Sequence, residues 1–249
     1  NKYRLLAEKH IDNLENGKTD EALLSSVNEA CESMVVRVKE LCSAILNDGK
    51  RLALLGGDHS TPLGYIQALA ERHESFGILQ IDAHADLRDA YEGFEFSHAS
   101  IMYNALKVPQ VSKLVQVGIR DYCEAEIEVI NSSEGRITTF FDRDIKAARY
   151  SGKSWKEQCK EIIDQLPDKV YLSFDIDGLD PKLCPNTGTP VAGGFEVEEI
   201  MFLLEMLVEK GKKLIGLDLN EVSPGEDEWD ANVGARLLYK LCNIMIYEG

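Results

Sequence analysis

The sequence predicts an α/β fold in which helices cover a mostly parallel central sheet, and three observations lead there. Short apolar runs alternate with longer stretches whose apolar residues recur every three or four positions, so strands and helices follow one another along the chain. The strand cores are apolar at consecutive positions, as strands buried on both faces are. The acidic and histidine residues with chemical potential fall just past the ends of those runs, where open parallel sheets bind their ligands.

Taken in order, residues 20–47 place Leu23, Val27, Ala30, Met34, Val38, Leu41 and Ile45 at helical steps, and Asn47-Asp48-Gly49 stops the helix. Leu52-Ala53-Leu54-Leu55 has a strand's length, and Thr61-Pro62 offers an N-cap and a first-turn proline, so residues 56–60 form a strand-to-helix loop. Further strands are expected at 76–81, 114–117, 137–141, 170–174 and 214–219. Helices are expected at 98–106, 124–131, 154–165, 196–209 and 231–247, with Ser154 and Glu157 forming a capping box. No internal repeat or low-complexity segment interrupts this order, and residues 1–249 are expected to form one domain.

The chain has 249 residues, 44% of them hydrophobic, and a formal net charge of −16. Such a charge argues against a nucleic-acid or anionic-membrane partner, which would need basic patches, and suits a cationic or neutral small molecule. Without a long apolar run or a signal-peptide core at residues 1–10, a cytoplasmic protein is expected. The six cysteines are scattered without a C-x-x-C pair and read as core thiols, with Cys184 alone in a loop after an acidic motif.

Two stretches carry the chemistry: Ile81-Asp82-Ala83-His84-Ala85-Asp86 and Ser173-Phe174-Asp175-Ile176-Asp177. Side chains two apart on an extended strand point to the same face, so these acids and the imidazole converge where two strands end. Four carboxylates crowded there without a cation would lose hydration worth several kcal/mol each, which points to a divalent metal site, with two ions. Hard oxygens with imidazole suit Mn²⁺ better than zinc. Asp58 and Asp180 read as loop-holding acids, and His10 and His73 receive no functional role.

Gly56-Gly57-Asp58-His59-Ser60, Asp82-Ala83-His84-Ala85-Asp86, Ser173-Phe174-Asp175-Ile176-Asp177-Gly178-Leu179-Asp180-Pro181 and Glu221-Val222-Ser223-Pro224, in that order, resemble the ureohydrolase signature of arginases and agmatinases. The resemblance covers roughly residues 50–249 and implies a three-layer α/β/α sandwich around a parallel sheet of about eight strands. It implies two Mn²⁺ per chain, one held by His59, Asp82, Asp86 and Asp175, the other by His84, Asp82, Asp175 and Asp177. Paired dications can lower a shared water's pKa from 15.7 to about 7, giving a nucleophile for the guanidinium carbon. By the same resemblance Glu221 would hydrogen-bond the guanidinium, Asp86 would pass a proton to the departing amine, and His98 would shuttle protons.

The resemblance also implies a trimer or hexamer. Metal-dependent deacetylases share the fold and a D-x-H motif, but His59, Asp86 and Asp177 are retained for a second ion. A catalytically inactive metal-binding relative is the alternative outside hydrolysis. The family's opening strand and glycine loop are not legible in residues 1–18, so that strand is expected to be missing or differently organised. In the loop after the first metal motif, Asp89, Glu92 and Glu95 favour an amine-ended substrate and so agmatine, converted to putrescine in polyamine metabolism. Arg88, by contrast, would suit arginine or another guanidino or formimino acid. Arg88 and Asp89 are thus the expected substrate contacts beside Glu221.

Overall fold

The structure, a computed structural model, describes residues 2–247. Six strands form one sheet: β1 (Ala53–Leu55), β2 (Phe76–Ile81), β3 (Val111–Ile119), β4 (Ile137–Phe141), β5 (Lys169–Asp175) and β6 (Lys213–Asn220). Their spatial order is β1-β6-β5-β2-β3-β4, and every neighbouring pair is parallel. The expected parallel α/β architecture is therefore present, with six strands among the described residues rather than about eight.

Nine α-helices accompany these strands among the described residues: α1 (Lys2–Glu15), α2 (Glu21–Asn47), α3 (Leu63–Ala70), α4 (Ile101–Leu106), α5 (Glu124–Ser132), α6 (Asp142–Tyr150), α7 (Trp155–Asp164), α8 (Val197–Glu209) and α9 (Trp229–Ile246). Strand side chains alternate between two cores. Leu79, Leu172, Phe174 and Leu217 pack with α7, α8 and α9, whereas Ile78, Leu114 and Tyr171 pack with α2, α3 and α4. Helix layers on both faces of one sheet make the three-layer sandwich.

Two helices were not legible. In α6 only Asp142 and Ile145 are buried, so nine residues give one apolar anchor and no periodic stripe. In α1 the strongest anchor is polar: His10 is 3% exposed, lies edge-on to Phe94 at 5.1 Å, and its Nε2 is 3.0 Å from the carbonyl of Glu92. The helix expected at 98–106 is a 3₁₀ turn, His98–Ser100, continued by α4. Among the described residues no helix is long and apolar enough to cross a membrane.

Strand β1 has three residues and pairs only with β6, so the sheet ends at this short edge. Its C-terminal end leads into Gly56, where an added Cβ would collide with the Asn220 side chain. That close approach lets the loop carrying His59 lie against the end of β6.

Candidate metal centre

His59 enters the site from the loop after β1 and is held on three sides. Its backbone N–H donates to Glu221 Oε1 (2.9 Å), and its ring Nε2 meets Ser173 Oγ (2.8 Å). Its Nδ1 faces Asp82 Oδ2 at 3.0 Å, Asp86 Oδ2 at 3.1 Å and Asp175 Oδ2 at 3.3 Å. The loop itself is braced by Asp58, whose Oδ1 accepts from the Ser60 amide (3.2 Å) and hydroxyl (2.6 Å).

Asp82, His84 and Asp86 follow β2. The His84 amide donates to Asp82 Oδ1 (2.7 Å), and the His84 Nδ1 lies 3.0 Å from Asp177 Oδ2 and 3.6 Å from Asp82 Oδ1. Asp86 adopts a left-handed backbone, φ 54°, that turns its carboxylate back towards His59. At the end of β5, Asp175 leads into a 3₁₀ turn, and its Oδ1 accepts from the Asp177 amide (2.9 Å). The Arg120 guanidinium clamps this turn, donating to the carbonyls of Asp177 (2.6 Å), Leu179 (3.2 Å) and Val191 (3.0 Å).

Two ligand sets result, each with donor atoms within 4.8 Å of one another: His59, Asp82 and Asp175, and Asp82, His84 and Asp177. Asp82 belongs to both, offering Oδ2 to the first and Oδ1 to the second. Asp86 joins the first through its distance to His59, and Asp175 groups with that set.

The charge balance of this cluster suits cations. Burial lowers the imidazole of His84, yet Asp177 and Asp82 outweigh it and push it up to about 11. His59 is likewise held well above its ordinary value against its burial, by Asp175, Asp82 and Asp86. Burial and the neighbouring Asp82 carboxylate push Asp86 up to about 7, and burial with Asp177 and Asp82 raises Asp175. Protons are thus drawn in to offset buried negative charge. Divalent ions would offset the same charge and displace those protons, so the donor set fits a pair of dications.

Beside the cluster lies a cavity of about 140 Å³ whose wall includes His84, Asp86, Arg88, Tyr91, His98, Asp121, Tyr122, Glu126 and Thr189. His98 is half-buried, edge-on to Tyr91 at 5.9 Å, and burial lowers its imidazole below the ordinary range. Glu221, also half-buried, has a strained backbone (φ 62°) and is pinned by its amide to the Gly57 carbonyl (2.9 Å). Burial raises its carboxyl above the ordinary range.

The loop after the first motif is arranged differently from expectation. Arg88 reaches the cavity, with its guanidinium 5.3 Å from the Tyr91 ring centroid and its Nε 3.8 Å from Glu126 Oε2. Asp89 does not: its side chain is exposed and accepts from the Ala90 amide (2.9 Å). Glu92 and Glu95 are exposed too and absent from the wall, because this loop is anchored outward by His10 and Asn28. Besides Asp86, the acids that do face the cavity, Asp121 and Glu126, come from the loop after β3 and from α5. Cys184 is buried beneath the Asp175 turn, its Sγ 3.3 Å from the Ile176 carbonyl, and burial pushes its thiol up to about 12.

Several residues here carry no signal in the two motifs. Gln80 and Asp218, both fully buried in apolar strands, are the ones a sequence could betray, since a polar residue inside such a run needs a partner.

The arginase family model matches residues 7–243, and the chain belongs to the arginase family. It is 34% identical over 212 residues to an N(1)-aminopropylagmatine ureohydrolase of Thermus thermophilus, covering 81% of this chain and 65% of that relative. A guanidinobutyrase of Pseudomonas aeruginosa is 30% identical over 212 residues, with 81% and 62% covered. The chain therefore spans less than two thirds of the length of these relatives. The crystal structure of an agmatine ureohydrolase of Thermoplasma volcanium superposes with a TM-score of 0.73 at 28% identity, covering 86% of this chain and 69% of that one.

Proposed function

We propose that this chain hydrolyses a guanidino compound to urea and an amine with two bound Mn²⁺ ions, and that the compound is agmatine, giving putrescine. The observation that carries this reading is the convergence of Asp82, Asp86 and Asp175 on one imidazole nitrogen, beside a second set that shares Asp82. His59, Asp82, Asp86 and Asp175 would hold one ion, and His84, Asp82, Asp175 and Asp177 the other. Bound there, the ions supply a water activated near neutral pH for attack on the guanidinium carbon.

The side chains provide the rest. Asp86 borders both the ligand cluster and the cavity, so its carboxyl can pass a proton to the departing amine. His98, kept neutral by burial, can accept and relay a proton across the cavity. Glu221 is fixed through Oε1 by the His59 amide, which orients its carboxylate for a planar guanidinium.

For the far end of the substrate the cavity favours an amine. The Arg88 charge is already met by Glu126 and the Tyr91 ring, which leaves it poorly placed to clamp a carboxylate. Glu126 in turn accepts from the amides of Leu87 (3.0 Å) and Cys123 (2.9 Å), whereas Asp121 faces His84 Nε2 at 3.7 Å and is otherwise open to solvent. An Asp121 carboxylate beside neutralised Arg88 suits a cationic tail. The test is urea release with Mn²⁺ on agmatine, N(1)-aminopropylagmatine, arginine, guanidinobutyrate and formiminoglutamate. Turnover of the amine-ended compounds is expected; turnover of arginine or guanidinobutyrate alone would reverse the substrate assignment. A cytoplasmic trimer or hexamer belongs to the same proposal, and its mass in solution tests the assembly.

A further inference from the structure

We propose that one row of side chains running across the sheet, Asp218, Ser173, Gln80, Gln116 and Thr139, is the positioning layer of the metal centre, with two arms that serve different ligands. The five residues are register partners on β6, β5, β2, β3 and β4 in turn: Ser173 with Asp218, Gln80 with Ser173 and with Gln116, and Gln116 with Thr139. Partners in register point to the same face, and the ligands Asp82, just past β2, and Asp175, the last residue of β5, stand two residues on from Gln80 and Ser173. The inference rests on the two-metal reading above.

The first arm accepts. His59 Nε2 meets Ser173 Oγ at 2.8 Å, and the Ser173 hydroxyl donates to Asp218 Oδ1 at 3.1 Å; the Asn220 amide donates to the same oxygen. With Ser173 committed as a donor to Asp218, its oxygen takes the proton of Nε2–H. That fixes the tautomer leaving the Nδ1 lone pair towards the three carboxylates, where an ion would bind.

The second arm donates. Thr139 Oγ1 donates to Gln116 Oε1 (2.7 Å), Gln116 Nε2 to Gln80 Oε1 (2.7 Å), and Gln80 Nε2 to Asp82 Oδ2 (2.8 Å). Spare amide protons bond the carbonyls of His84 (3.1 Å) and Ala85 (2.7 Å), so the arm also fixes the backbone between the ligands. Gln80, Gln116, Ser173 and Asp218 are all 0% exposed. Four polar side chains in the middle of a parallel sheet are costly to bury, and apolar residues would pack there at no such cost. Their bonds end on two metal-site residues, and from opposite sides.

The two arms give separable outcomes. Ser173→Ala removes the acceptor for His59 alone, so one of two Mn²⁺ ions should bind about 10–100-fold more weakly while the other is little changed. Gln80→Met frees Asp82, the residue common to both ligand sets, so both ions should weaken by a comparable factor. Mn²⁺ titration followed by calorimetry reads the affinities, and thermal unfolding of the chelator-treated variants reads any folding defect. Ligand-specific affinity losses out of proportion to the fall in metal-free melting temperature that the unpaired Asp218 or Gln116 brings support the row. Two ions bound to both variants with wild-type affinity overturn it, as does an affinity loss that merely parallels a fall in the metal-free melting temperature. Wild-type protein that takes up no Mn²⁺ overturns the two-metal reading itself, and the row's role with it.

Discussion

At the scale of single residues, His98 and Glu221 are asked to do different work, and kinetics can separate them. His98 stands in the cavity wall without belonging to either ligand set, in keeping with the proposed part in proton movement. His98→Asn is expected to lower kcat by about 10²–10⁴ with KM little changed. Glu221→Gln would remove the charge from the proposed guanidinium contact, which costs about 1.5–3 kcal/mol and should appear mainly as a higher KM. Steady-state kinetics with agmatine checks both; a KM effect for His98 or a pure kcat effect for Glu221 would exchange their roles. The grouping of Asp82, His84, Asp86, Asp175 and Asp177 was legible because they fall at or just past the ends of two long apolar runs; the strand period expected to align them does not hold, since Asp86 takes a left-handed backbone and Asp177 lies in a 3₁₀ turn. The outward placing of Glu92 and Glu95 was not legible, because their backbones are held by His10 and Asn28, which lie more than sixty residues away in sequence.

At the scale of elements, the loops after β3 and β5 are joined by a single guanidinium. Arg120 makes five hydrogen bonds to the carbonyls of Gly118, Asp177, Leu179 and Val191, with Nε and Nη2 both reaching Val191. Arg120→Ala leaves those buried carbonyls unpaired and should cost about 3 kcal/mol. At this chain length that is about 6–12 °C in melting temperature; a loss below 1 °C by calorimetry would show the clamp to be dispensable. The strand–helix alternation could be read because β2 and β5 are long, apolar and bounded by turns. By contrast, α6 starts where β4 ends, with no loop residue between them to mark the boundary. The sheet's strand order, with β2 and β5 adjacent at its centre, depends on packing that no local pattern encodes.

At the scale of the whole molecule, a net charge of −16 surrounds a buried cluster that itself holds excess negative charge. Asp86 at about 7 and His84 at about 11 both lie above their unfolded values. At these two positions the folded, metal-stripped protein holds protons that the unfolded chain releases, so these groups stabilise it most at low pH and lose that contribution as pH rises through about 4–7 and about 6.5–11 respectively. The melting temperature of chelator-treated protein should fall from about pH 5 to about pH 9. The increment produced by saturating Mn²⁺ should grow over the same interval, because the ligands must shed protons to bind. Scanning calorimetry with and without Mn²⁺ checks this, and an increment that shrinks with rising pH would contradict it.

The most direct test of a two-metal hydrolase is urea release from agmatine by chelator-treated protein as Mn²⁺ is added back in steps. No urea without metal, and a maximum at two ions per chain, is the expected result. Urea release that survives chelation, or none with two ions bound and agmatine in excess, would contradict it.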